Sequence, residues 1–211
     1  MQKETFAPMI CAPTFHVVTA NQEDFGRYYI RGDVFMTLRD GATGQIQQER
    51  ELRNLVVLDA GILVARLLKS STEPPHGIYA LAVGTGDVGW GGIPPAPTNT
   101  QRSLYSELTR KTFTSTNFVN SAGAPVAYPT NVVDYTCTLQ ASEAVGPLVE
   151  MGLICPLSTN MSVKNPVLPA NGPRDTTVDL TTRDSLINYL TFLPINKPAT
   201  STLTVVWRIT T

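Results

Sequence analysis

Apolar and polar positions along this chain recur with a period of two, in short runs of β-branched residues separated by Gly, Pro and Asn. Val34, Met36 and Leu38 alternate with Phe35, Thr37 and Arg39, as a half-buried strand should. Residues 28–39 and 45–57 flank Asp40-Gly41-Ala42-Thr43-Gly44, so they read as two arms of a hairpin whose glycines supply the positive φ angles of the turn. Further strands are expected at 78–83, 107–119, 131–140, 148–154, 186–193 and 202–209, seven or eight in all. In the last of these, Leu203, Val205, Trp207 and Ile209 alternate with Thr204, Val206, Arg208 and Thr210. One face is then wholly apolar and must point at a core, with Trp207 inside.

A single segment departs from the pattern. Val57, Gly61, Val64, Ala65 and Leu68 recur at helical spacing, and Asp59 and Lys69 suit the helix dipole, which predicts a helix over 59–69. A helix of about 11 residues is marginal alone in water, so its apolar face should cover a side or an end of a sheet. Strands outnumber helices and no βαβ alternation is present. The expected fold class is therefore mainly β, an antiparallel β-sandwich with one docked α-helix and extended arms.

Residues 1–26 mix Pro8, Pro13 and polar residues with little periodicity and read as an N-terminal arm. Residues 27–211 form the sandwich domain, interrupted by a long Pro-rich loop at 155–180. In an assembling subunit such stretches lie on a neighbour. The interface candidates are Trp90, in the Gly- and Pro-rich loop 87–99, and Pro156, Pro166, Pro169 and Pro173.

Composition narrows the function. The 211 residues, 42% hydrophobic, can bury a sizeable core in one domain. Charged residues make up only 16%, with 16 basic against 17 acidic, so no clustered cations await phosphates and nucleic acid is not an expected partner. Weak repulsion between copies favours self-association. No run approaches the roughly 20 apolar residues that span a bilayer, and residues 1–10 lack a signal-type apolar run; neither a membrane partner nor export from the cytoplasm is expected. Cys11, Cys137 and Cys155 are odd in number and widely spaced, which reads as reduced, buried thiols.

Candidate chemistry is sparse. His16 and His76 stand outside any hydrolase or metal motif, and Val83-Gly84-Thr85-Gly86-Asp87 lacks the Lys and spacing of a phosphate loop. Arg31-Gly32-Asp33 lies within a hairpin arm, where an extended ladder hides it. Asn160-Met161-Ser162 matches a glycosylation acceptor, which matters only in a secreted eukaryotic protein. Glu143, Glu150, Asp175 and Asp179 are carboxylates by location alone, without an aromatic groove to accompany sugar hydrolysis. No enzyme activity is expected, and no catalytic, cofactor-binding or metal-ligating residue is assigned.

A resemblance enters at Arg53-Asn54-Leu55-Val56-Val57-Leu58-Asp59-Ala60-Gly61, continues through the helix to Ile78-Tyr79-Ala80-Leu81-Ala82-Val83-Gly84-Thr85-Gly86, and reappears at Glu107-Leu108-Thr109-Arg110-Lys111. It extends through Ala144 and Gly146-Pro147-Leu148-Val149-Glu150-Met151-Gly152-Leu153-Ile154 to Phe192-Leu193-Pro194-Ile195-Asn196-Lys197 and Leu203-Thr204-Val205-Val206-Trp207-Arg208-Ile209-Thr210. The order of these motifs, from about residue 50 onward, is similar to that of small structural proteins from the tail and neck modules of tailed bacteriophages. Residues 1–26 and 155–180 carry no such pattern. The resemblance implies a virion subunit of the neck, tail or baseplate, made in the host cytoplasm and contacting other virion structural proteins and copies of itself. A capsid cement or decoration protein is the alternative within that class. A carbohydrate-binding host-attachment module, with a host surface glycan as partner and Trp90 and Tyr105 as its exposed aromatics, is the alternative outside it. On this reading glycines 84, 86, 146 and 152 mark backbone turns and not ligand cradles.

Overall fold

The computed structural model describes residues 30–69, 77–166, 170–171 and 183–211. Along the chain these form β1 (Arg31–Asp40), β2 (Ile46–Arg53), β3 (Leu55–Val56), α1 (Leu58–Lys69), β4 (Ala80–Gly84), β5 (Glu107–Thr112), β6 (Ser115–Val119), β7 (Pro125–Val126), β8 (Val132–Leu139), β9 (Gly146–Cys155), β10 (Ser185–Lys197) and β11 (Ser201–Thr210). A six-stranded sheet runs β2-β1-β11-β8-β6-β7 and a five-stranded sheet runs β3-β10-β9-β4-β5, with every pairing antiparallel. The mainly β sandwich with one helix is as the alternation predicts. The expected N-terminal arm, 1–26, lies outside the described residues.

The β1–β2 hairpin closes as the turn residues require. Asp40 Oδ1 accepts from the backbone N–H groups of Ala42 and Thr43 at 3.0 and 2.8 Å, and Gly44 takes φ 71°. Arg31-Gly32-Asp33 is paired into β1, as expected.

Two segments that read as single strands are each divided between the sheets. In the first, β2 pairs with β1 while β3 pairs with β10, and Asn54 makes the crossing. Its N–H donates to Gly32 O at 3.2 Å, and a Cβ on Gly32 would lie 1.7 Å from Asn54 Oδ1, so only glycine fits there. In the second, β5 pairs with β4 and β6 with β8. Phe113, at the break, packs against the core and against the Tyr135 ring, 5.0 Å between centroids. Neither segment contains a Gly or Pro to mark its crossing, which is why each reads as one strand.

Between the sheets lies one core. Val34, Met36, Leu38, Leu203, Val205 and Trp207 face it from the six-stranded sheet, and Leu81, Val83, Met151, Leu153, Ile187 and Phe192 from the other. Trp207 is fully buried, as its strand register predicts, and its indole N–H has no hydrogen-bond partner among the described residues. The opposite face of the six-stranded sheet is polar, with Thr138 and Thr204 hydroxyls bonded at 3.2 Å and Arg208 forked onto Asp134 at 2.8 Å.

The five-stranded sheet is covered on both sides. Ala82, Ile154, Leu186 and Tyr189 alternate with the core positions and join Val57 and Leu104 in a second, smaller cluster. The helix forms where expected but turns a different face inward: Ala60 and Leu63 enter the main core, whereas Val64 and Leu68 are 40% and 84% exposed. Val57, counted in the helical spacing, belongs to the preceding segment, where it donates to Ile187 O.

Replacing Trp207 with Ala should destabilise the fold by about 3–5 kcal/mol, the range for emptying a large aromatic site. Trp207→Phe removes the unpartnered donor with part of the volume and should lose less. Denaturant unfolding of the two variants checks both; an Ala variant as stable as the parent would refute the strand register.

Candidate functional site

The most heavily engineered contacts of the molecule gather on the outer face of the five-stranded sheet, where residues 85–106 cross over it. At their centre is Glu150 of β9, with no solvent exposure. Its Oε1 accepts from the N–H groups of Ser106 and Gly86 at 2.8 and 3.2 Å, and Oε2 from Tyr105 N–H at 3.0 Å and the Tyr189 hydroxyl at 2.6 Å. Burial, then the nearby carboxylate, pushes the Tyr189 phenol well above its ordinary value, so it remains a donor. Gly84 and Gly86 leave room for this arrangement. A Cβ on Gly84 would stand 2.5 Å from Glu150 Oε1 and from Ser106 O, and one on Gly86 2.3 Å from the Trp90 ring.

Glycines 86 and 146 take positive φ, as turn residues should. Gly84 and Gly152, by contrast, sit inside β4 and β9 and are needed for close packing, not for turning.

Beside Glu150 lies a second charged cluster. Arg110 of β5 is buried and forks onto Glu107, with both contacts at 2.6 Å, and also donates to Asp184. Burial pushes its guanidinium down, but the bonds to the two carboxylates outweigh that and hold it above its ordinary value. Asp184 further accepts from Leu157 N–H at 2.9 Å and Asn165 N–H at 3.0 Å. One ion network thus fastens the segment after β9 to the sheet.

That fastening revises the long Pro-rich loop. Within 155–180, Cys155 ends β9, Pro156 is buried and so offers no interface, and the loop reaches Pro166, which is exposed and accepts from Arg183 at 2.7 Å. Ala170 O accepts from Arg102 N–H at 2.7 Å and Asn171 bridges to Gln101. Pro169 and Pro173 lie outside the described residues, as do Asp175, Asp179, His16, His76 and Cys11. Trp90 is half-buried instead of free in solvent; its ring meets Tyr105 edge to face at 5.1 Å. The structure therefore brings together Trp90 and Tyr105, the two aromatics that the sequence named as exposed. It keeps Glu143 apart from them, on the surface, paired with Lys111 at 2.6 Å.

Between residues 102–107 and 164–166 a cleft of about 220 Å³ opens over Leu104, Ile154 and Leu186. Sequence reasoning missed it, because its polar walls come from β5, the segment after β9 and the start of β10. Only Glu107-x-x-Arg110, an i, i+3 opposite-charge pair, marked one wall in advance.

Two other buried groups serve the fold. Lys197, 1% exposed, donates to the carbonyls of Gln140 and Ala141 at 2.7 and 3.2 Å and ties the β8–β9 turn to β10; burial pushes its ammonium down. The Asn188 amide, fully buried in β10, has no hydrogen-bond partner among the described residues. Among the described residues no cluster of metal-ligating side chains occurs and no helix is long and apolar enough to cross a membrane. No protein-family model, no curated protein and no solved structure matches the chain.

Glu150→Ala strands three backbone donors and a phenol in a dry site, each worth about 1–3 kcal/mol when unsatisfied. The amides of Gly86, Tyr105 and Ser106 should then lose hydrogen-exchange protection before the rest of the protein, and uniform loss of protection would contradict the local role of this carboxylate. The thiols give a pH test. Burial pushes Cys137 and Cys155 up to about 11 from 9.0, so ionisation is easier in the unfolded chain. Stability contributed by the neutral thiols is complete below pH 9 and is lost as pH rises from 9 towards 11. At pH 8 both should resist a thiol reagent until denaturant is added, as a colorimetric titration of accessible thiols would report.

Proposed function

We propose that this protein is a structural subunit of a tailed-phage virion, assembling in the neck, tail or baseplate through contacts with other virion proteins and with copies of itself. One observation carries the reading: the residues of the phage-like motifs are spent on fastening the fold. Glu107 and Arg110 hold the segment after β9, Lys111 holds Glu143, Glu150 holds the crossing loops, Lys197 holds a turn and Trp207 fills the core. Motifs of this kind preserve a rigid shape. A particle built from repeated copies depends on such a shape, because each error in subunit geometry recurs around the symmetry axis.

The surface supports the same role. Leu67, Leu68, Val88, Ile93 and Leu193 are each at least half exposed and so open to contact with neighbours. The long edge strand β2 carries Glu49, Arg50, Glu51 and Arg53, which discourages uncontrolled strand addition and leaves loops and faces for the specific contacts. Residues 1–26 and 172–180 supply the arms.

Hydrogen exchange on the isolated subunit and on the assembled particle tests this. Residues 1–26 and 172–180 should become protected in the particle, and equal exchange in both states, or absence of the chain from purified particles, would refute the proposal.

A further inference from the structure

We infer that the interior of the sandwich binds a water molecule at the crossing from β2 to β3, held between the side-chain amides of Asn54 and Asn188. The inference goes beyond the assembly role and does not depend on it. Three buried side-chain atoms at this place have no hydrogen-bond partner among the described residues: Oδ1 of Asn54 and both Oδ1 and Nδ2 of Asn188. Bulk solvent does not serve them, since Asn188 is fully buried and Asn54 is only 8% exposed.

Register turns both amides towards the same end of the core. Asn188 stands opposite Val56 on one side and Leu153 on the other, and both of these belong to the main core. Residues directly opposite on antiparallel strands share a face, so the Asn188 amide points inward with them. Asn54 precedes Val56 by two positions. Its Oδ1 lies 1.7 Å from where a Cβ on Gly32 would stand, and Gly32 is opposite Ile209, another core residue, so the Asn54 amide is also turned inward. Diagonal neighbours on such a ladder stand about 7–8 Å apart. The two amides make no bond to each other, and one small polar molecule spans what remains between them.

The chemistry of the three atoms selects the occupant. Two are acceptors and one is a donor, so whatever lies between them must both donate and accept. A cation cannot accept from Asn188 Nδ2, and an anion cannot donate to either oxygen. Water accepts one bond and donates two, which gives the three bonds usual for a buried water. A dry site would strip all three atoms of hydration without return, a penalty that native interiors avoid. The place also has a structural sense. Asn54 is where the chain leaves one sheet for the other, and its N–H is bonded to Gly32 O of β1. A bridging water ties that crossing to β10 without the strict fit that a direct bond between two amides demands.

Water-selective nuclear magnetic resonance on the full chain tests this. The solvent resonance should give cross-peaks to the Asn188 side-chain amide protons, with opposite signs in laboratory-frame and rotating-frame experiments, as a long-lived bound water does. Absent cross-peaks, or the same sign in both experiments, which marks mere proton exchange, would overturn the inference. Asn188→Leu keeps nearly the size of the side chain and removes both of its polar atoms. That variant should lose at least one of the long-lived internal waters counted by relaxation dispersion of labelled water oxygen. An unchanged count in a folded Asn188→Leu protein would equally sink the idea. The first measurement uses no variant and decides the question by itself should the Leu protein fail to fold.

Discussion

A carboxylate with no access to water, Glu150, is the point at which the five-stranded sheet meets the loops that cover it. A carboxylate is tolerated in such a place only when its oxygens have partners, and here three backbone N–H groups and one phenol supply them. The loop from Thr85 to Ser106, rich in Gly and Pro, has almost no regular structure of its own. Its course is set by donors it must present to Glu150. With the loop held there, Trp90 and Tyr105 are brought edge to face and Leu104 is laid into the second apolar cluster.

The second fastening, Glu107–Arg110–Asp184, works from the neighbouring strand. A buried ion pair is a poor source of net stability, because desolvation consumes much of the attraction. Its value is in specificity: Arg110 reaches Asp184 only if β5 and the start of β10 sit in one relative position, and Asp184 then dictates where Leu157 and Asn165 go. Together the two carboxylate centres convert long, irregular segments into a fixed surface on one side of a sandwich. The walls of the cleft follow from that conversion, as does the rigidity that the proposed subunit role requires.

The two faces of the molecule are thus unlike. Behind the six-stranded sheet the outer surface is a ladder of Thr side chains and the Arg208–Asp134 fork, with Arg208 also 5.5 Å above the Phe35 ring. Outside the five-stranded sheet there is a second apolar layer and buried charge. An assembling subunit with two such different faces can meet two different neighbours without confusing them.

What the sequence determined by itself was everything governed by local periodicity and turn chemistry. Alternation located the strands and put Trp207 inside, Asp40 to Gly44 placed the hairpin, and the helical spacing located the single helix, because each of these depends on residues close along the chain. What only the tertiary structure decided were the matters settled by distant partners. The strand breaks at Asn54 and Phe113 lie in runs without Gly or Pro, so nothing local marks them. The inward face of the helix was decided by its docking on the sheet, which apolar spacing did not reveal: Ala60 and Leu63 point inward while Val64 and Leu68 stay exposed. The site was least legible of all. Glu150 is one carboxylate among many in the sequence, and only the folding of Gly86, Tyr105, Ser106 and Tyr189 around it determines that it is a buried fastening and not a solvated charge.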